Sequence, residues 1–264
     1  MNPEKKNFIV LGGIVILLGA IFLFLYFFGK SGTEVRDWEQ ICSEGEIRVV
    51  TEYNSVGYYV SGDTIAGAQY DLCRYLEQRS GLKVNIGLEN NFETAIDKLN
   101  RNIYDVIALN IPITTQSRAE LAFTIPITQN KQVLVQRKPE MGDTIPVIRN
   151  QMDLAHKIVH IPKNSPVILR LKNLSEEIAE PIIIEEVADY TQEELVYMTA
   201  YGTIDYAVVD KGIALKISRL HPNIDIETDI SFTQLQAWAV RKSSPVLLDS
   251  LNVWIAEYIS RHGI

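Results

Sequence analysis

The chain has 264 residues, 47% hydrophobic and 22% charged, with a net charge of −8. That balance argues against a nucleic-acid partner, which needs a cationic surface to displace counterions from phosphates. With an apolar N-terminal run set aside, roughly 230 residues remain, enough for one large domain or two small lobes.

Residues 8–28 read FIVLGGIVILLGAIFLFLYFF, without a charge. As a helix rising 1.5 Å per residue the run is about 31 Å long, close to the hydrocarbon thickness of a bilayer. A cleaved signal peptide has a shorter apolar region, about 7–15 residues, followed by a small-x-small cleavage site. Here the run ends in Leu25, Tyr26, Phe27 and Phe28, and no cysteine follows closely enough for lipidation. The expectation is one N-terminal transmembrane helix retained as a signal-anchor. Lys5 and Lys6 place residues 1–7 in the cytoplasm, although Lys30 and Arg36 on the other flank oppose that bias. The folded part then lies on the periplasmic or extracellular side of the cytoplasmic membrane. Residues 29–45 form a linker and a short amphipathic helix with Val35, Trp38, Ile41 and Cys42 on one face.

From residue 47 the chain alternates strands and helices. Residues 47–51 are an apolar strand, and 57–60 with 64–66 flank the turn Ser61-Gly62-Asp63 as a hairpin. A helix at 69–79, with Leu72, Cys73 and Leu76 inward, ends at Gly81. A strand at 84–88, a helix at 92–99 and a buried strand at 106–109 follow. The rhythm then restarts: strand 158–161, helix 167–174, strand 182–185, helix 193–201, strand 206–209. Such alternation predicts an α/β fold with a parallel or mixed sheet covered by helices. The restart predicts two lobes with a cleft, where ligands bind at the carboxyl ends of strands.

Cys42 and Cys73 lack CxxC or Cys/His spacing, so no metal is expected, and no cofactor motif stands elsewhere. Either they form one disulfide, or they are two buried apolar side chains, which is the expectation. His156 and His160 are four apart where a helix end runs into a strand, which is not metal spacing. Glu185 and Glu186 are adjacent in a strand and face opposite sides.

Several stretches, in order, resemble the bacterial extracellular solute-binding proteins of family 3, over residues 47–263. They are Gly67-Ala-Gln-Tyr-Asp-Leu72, the run Asp105 to Arg118 with its Thr-x-x-x-Arg, Phe123-Thr-Ile-Pro126, Gly202 to Asp210, and Leu235 to Lys242. The likeness implies a two-lobed, periplasmic-binding-protein-like (type II) domain. Lobe 1 is expected at 46–130 plus 232–264 and lobe 2 at 131–231, with crossovers near 132–135 and Ser231. Tyr58-Tyr59, Tyr70, Ile204 to Asp210 and Gln236-Ala-Trp238 are similar to membrane-bound lytic murein transglycosylase F. There such a domain precedes a lysozyme-like catalytic domain. The present sequence ends at Ile264, where the resemblance to the binding domain ends, so an enzyme is not expected.

The resemblance also proposes a site. Arg118 offers a planar fork to a ligand carboxylate, or is a solvated surface arginine. Asp210, ending an apolar strand, meets an ammonium, or caps the following helix. Asn164 and Ser165 hold the ligand at a helix N-terminus, or simply cap it; the family pattern has glycine at this turn, and Asn164 departs from it. Tyr58 and Tyr59 wall the ligand, or pack within the hairpin. Asn110 and Thr114 are placed beside the carboxylate by resemblance alone. Three readings follow. The first is a receptor for an amino-acid-like or peptide-like small molecule, serving transport or sensing, with a membrane transporter or murein enzyme as candidate partner. The second is a regulatory or scaffold module of murein remodelling. The third is an enzyme, since the fold also hosts a cyclohexadienyl dehydratase, but no acid beside the carboxylate clamp is identifiable.

Overall fold

A strand covered on both faces has to be apolar at nearly every position. Residues 49–50, 106–108 and 207–209 meet that demand and have no solvent exposure. The computed structural model describes residues 36–139, 147–188 and 190–262, and these runs lie in the interior strands of its two larger sheets.

The first lobe opens with α1 (Trp38–Glu44), β1 (Glu46–Thr51), the hairpin β2 (Tyr59–Ser61) and β3 (Thr64–Ala66), and α2 (Ala68–Ser80). It continues with β4 (Lys83–Leu88), α3 (Phe92–Asn100), β5 (Val106–Pro112), α4 (Thr115–Glu120), β6 (Ala122–Phe123) and β7 (Thr128–Asn130). The second lobe holds β8 (Gln132–Arg137), β9 (Ile158–Pro162), α5 (Val167–Ile178), β10 (Ile183–Val187) and α6 (Gln192–Ala200). After these come β11 (Ala207–Asp210), α7 (Lys211–Ser218) and β12 (Ile224–Asp229). The chain then returns to the first lobe as β13 (Gln234–Val240) and α8 (Pro245–His262).

The first sheet has the order β4-β1-β5-β13-β6, with β7 also on β13. Its first three strands are parallel, and the returning β13 is antiparallel to β5, β6 and β7. The second sheet has the order β10-β9-β11-β8-β12, parallel among β9, β10 and β11 and antiparallel at β8. Helices cover both faces of each. Leu72 and Leu76 of α2 and Leu251 and Ile255 of α8 pack with Trp238 on one face of the first sheet. Ala95 and Leu99 of α3 close the other. In the second lobe α6 and α7 cover one face and α5 the other.

Two local features fix how the first lobe begins. Gly67 caps α2 at φ 128°, and a Cβ there would sit 2.3 Å from the Gly57 carbonyl oxygen, so only glycine fits. Arg36 Nε donates to Asp105 Oδ1 at 2.7 Å, while Arg241 Nη2 donates to the same oxygen at 3.1 Å and to Arg36 O at 2.7 Å. Asp37 Oδ1 accepts from Leu247 N at 2.8 Å, capping α8. The segment entering the lobe is thus built into its core.

Cys42 departs from expectation. Both cysteines are free, and while Cys73 is buried, Cys42 is exposed. Trp38 and Ile41 set the inward stripe of α1, and one residue further is a turn of about 100°, which carries Cys42 to solvent. Among the described residues no helix is long and apolar enough to cross a membrane. Residues 8–28, read above as an anchor, lie outside the described residues.

Candidate functional site

Asp210 ends β11 and caps α7, its Oδ1 accepting from Gly212 N at 3.0 Å. The same oxygen accepts from Asn130 Nδ2 of β7, and Oδ2 accepts from Gln236 Nε2 of β13 at 3.2 Å. A second-lobe carboxylate is therefore held by two first-lobe amides. Burial pushes its pKa above the ordinary aspartate value, and the bonds from Gln236, Gly212 and Asn130 oppose that rise. The capping role and the interlobe role are both realised in one side chain.

Glu52 stands one residue past β1. Burial pushes it up to about 7; a hydrogen bond from Asn54 opposes the rise, and the charges of Asp210 and Glu193 add to it. Asn54 Nδ2 donates to Glu52 Oε1 at 2.6 Å, and Asn54 Oδ1 accepts from Val56 N and Gly57 N, fixing the turn before the hairpin. Glu193, in the first turn of α6, accepts from Ser55 N at 2.6 Å across the lobes. The charges of Asp210, at the end of β11, and Glu193, in α6, thus both act on Glu52 at the junction. Gln236, which is 1% exposed, keeps its Oε1 buried without a donor among the described residues. The junction is rich in acceptors.

The remaining site residues fall into smaller groups. Tyr58 meets Tyr70 edge-on at 5.8 Å, as packing within the lobe. Tyr59 lies under Lys216 Nζ at 4.2 Å, and that ammonium also donates to Ser55 O, so a second-lobe cation clasps the hairpin. Asn110 Oδ1 accepts from Gln69 Nε2 at 2.8 Å, and Gln69 Oε1 accepts from the buried Trp238 Nε1 at 2.5 Å. Asn164 adopts φ 58°, and its side chain donates to Glu93 of the first lobe. Ser165 lies at the start of α5, its Oγ 3.5 Å from Val167 N.

Arg118 and Asp210 have different surroundings. Thr114 caps α4 through a capping box with Ser117, which puts Arg118 one residue further round the helix. Arg118 is exposed and lines a groove with Thr114, and no described residue from 127 to 232 lines that groove. Sequence reasoning missed Glu52, Asn54, Gln69, Glu193 and Gln236. For Glu52 a signal was present, its place at the carboxyl end of a parallel strand. Gln236 lies in a stretch that carried the resemblance, but a polar residue in a returning strand reads as solvated and was given no role. Among the described residues no cluster of His, Cys, Asp and Glu could hold a metal ion.

Comparison with known proteins gives a consistent picture. Residues 47–262 match the model of the bacterial extracellular solute-binding proteins, family 3. A membrane-bound lytic murein transglycosylase F from Pectobacterium atrosepticum is 25% identical over 262 residues, covering 99% of this chain and 52% of that protein. One of the same name from Aeromonas salmonicida is 29% identical over 204 residues, covering 77% and 40%. The chain spans about half the length of the curated relatives it matches. Holo ArgBP from T. maritima superposes with a TM-score of 0.71 at 23% identity, over 84% of this chain and 93% of that one. An ancestral arginine-binding protein bound to arginine gives 0.70 at 22%, over 83% and 94%. These structures show the shared two-lobed fold.

Proposed function

Because the chain belongs to the bacterial extracellular solute-binding proteins of family 3, we propose that it captures a small ligand bearing an ammonium group between its two lobes. An amino acid or a murein-derived peptide fits that description. In this reading residues 8–28 anchor it in the cytoplasmic membrane, lobe 1 is 46–130 plus 232–264, and lobe 2 is 131–231. The chain acts as a binding module, and the murein chemistry named in its relatives is not carried over. The observation that carries the reading is the carboxylate set Glu52, Asp210 and Glu193 beside an acceptor without a donor, Gln236 Oε1. An ammonium supplies both a countercharge and N–H donors, and the buried Asp210 and the half-buried Glu52 are costly as charges until they meet one.

Titration calorimetry against lysine, arginine, ornithine and muropeptides tests it. Asp210→Asn is expected to weaken binding by about 2–5 kcal/mol, the scale for breaking a buried charge pair. A scaffold role in murein remodelling is the second reading. It is favoured by the direct contacts between the lobes through Ser55, Lys216 and Asn164. A wild-type chain that binds nothing across the panel would overturn the receptor reading and favour the scaffold.

A further inference from the structure

The peptide group of Ser55 is held from both sides by the second lobe. Glu193 of α6 accepts from its N–H at 2.6 Å, and the Lys216 ammonium of α7 donates to its carbonyl. Lys216 Nζ also stands 4.2 Å from the centre of the Tyr59 ring. An anion meets the donor and a cation meets the acceptor of one first-lobe peptide group, and both hydrogen bonds are charge-assisted. These contacts differ from those on Asp210. Asn130 and Gln236, which hold that carboxylate, lie beside the two crossovers, at the end of β7 and near the start of β13. Ser55, Glu193 and Lys216 belong to neither crossover, so a rotation of one lobe about those strands pulls them apart.

Glu52 stands on the same turn as Ser55. Asn54 ties it there, its Nδ2 donating to Glu52 Oε1 at 2.6 Å. Two charges of the second lobe reach Glu52, from Asp210 and Glu193, and both are negative. Lys216 is engaged by Ser55 and Tyr59 instead. The four histidines stand elsewhere. His156 faces Glu180, His160 faces Glu185 and the Tyr206 carbonyl, His221 lies against Tyr197 and Tyr201, and His262 stacks on Tyr258.

We propose that the Ser55 peptide group, Glu193 and Lys216 form a latch between the lobes, and that the protonation state of Glu52 sets it. The neutral carboxyl lets the lobes close on themselves, and the carboxylate repels Glu193 and Asp210 and opens them. In the latched form burial, and after it the charges of Asp210 and Glu193, push Glu52 up to about 7 against the bond from Asn54. Opening takes the Glu193 charge away and admits water, so the carboxyl returns toward its ordinary 4.5. The latched form therefore binds the proton more tightly. Latching is favoured in full below about pH 4.5 and is lost progressively as pH rises from 4.5 to 7. The latch is read without ligand, so its failure leaves the capture of an ammonium standing, and the reverse holds.

Spin labels on Asp97→Cys in the first lobe and Lys163→Cys in the second, both exposed, are placed in a Cys42→Ser background, because Cys42 is exposed and Cys73 is buried. Double electron–electron resonance on the dialysed full chain in lipid nanodiscs gives the distance between them at pH 5 and pH 8. The ratio of short to long distances is expected to fall by about threefold or more between the two pH values. Glu52→Gln is expected to keep the short distance at both, and Lys216→Met to show the long one already at pH 5. Glu93→Gln alters another first-lobe carboxylate, the one that meets Asn164, and is expected to respond to pH as the wild type does. A wild-type ratio unchanged by pH, or a Glu52→Gln chain that responds like the wild type, would overturn the switch. Loss of the response in Glu93→Gln would overturn Glu52 as its seat, and a short distance in Lys216→Met at pH 5 would overturn the latch.

Discussion

At the residue scale, Glu52 shows how one side chain links stability to pH. Its carboxyl is pushed up to about 7 from an ordinary 4.5, chiefly by burial. The native state therefore holds a proton that the unfolded chain releases, so this group favours folding below about pH 4.5. That contribution falls as pH rises between 4.5 and 7, and above 7 the charged form is penalised in full. Glu52→Gln resembles the protonated form and keeps an acceptor for Asn54. It is expected to stabilise the ligand-free protein at pH 8 by on the order of 2 kcal/mol and to change little at pH 4.5. Thermal melts of both proteins at the two pH values check this; an equal effect at both would show that the charge is not the cause. The buried Asp105 shared by Arg36 and Arg241 illustrates the opposite arrangement, a carboxylate satisfied from two sides.

At the element scale, helix starts fix where several polar side chains stand. Thr114 caps α4, Thr191 caps α6 with Glu194, and Asp210 caps α7. The start of α2 depends instead on Gly67, whose backbone passes so close to Gly57 that a methyl group would collide with its carbonyl. Gly67→Ala also forces an L-residue into φ 128°. It is expected to cost more than about 2 kcal/mol in urea denaturation. Hydrogen exchange is expected to be fastest in the Asn54–Gly57 turn and the hairpin, because both are held to the start of α2. Unchanged protection there would show that the close approach is not needed.

At the scale of the whole molecule, the described parts of the lobes meet where Asn130 and Gln236 hold Asp210, where Ser55 and Tyr59 face Glu193 and Lys216, and where Glu93 meets Asn164. Lys216 is the natural point to loosen. Lys216→Met removes a cation held by a carbonyl and an aromatic ring, together worth about 1–2 kcal/mol, which shifts an open–closed balance roughly tenfold. Small-angle scattering of the ligand-free variant is expected to give a larger radius of gyration than wild type. Identical scattering would mean that Lys216 does not hold the lobes together.

The linear pattern of residues determined most of the elements. Period-two and period-3.6 burial is a local demand of strands and helices, so β1, α2 and β11 are legible to within a residue or two, while β5 runs on to Pro112 and α5 to Ile178, past the ends the pattern marked. It also marked Asp210 as a carboxylate at a strand end. What the tertiary structure decided is which residues meet. Glu52, Asp210 and Glu193 are far apart along the chain and come together only through strand order and lobe contact. The direction of Arg118 depends on which threonine caps α4, a choice sealed by the bonds between Thr114 and Ser117. One helical position is worth about 100° of rotation, enough to separate a side chain from the site its type suggests.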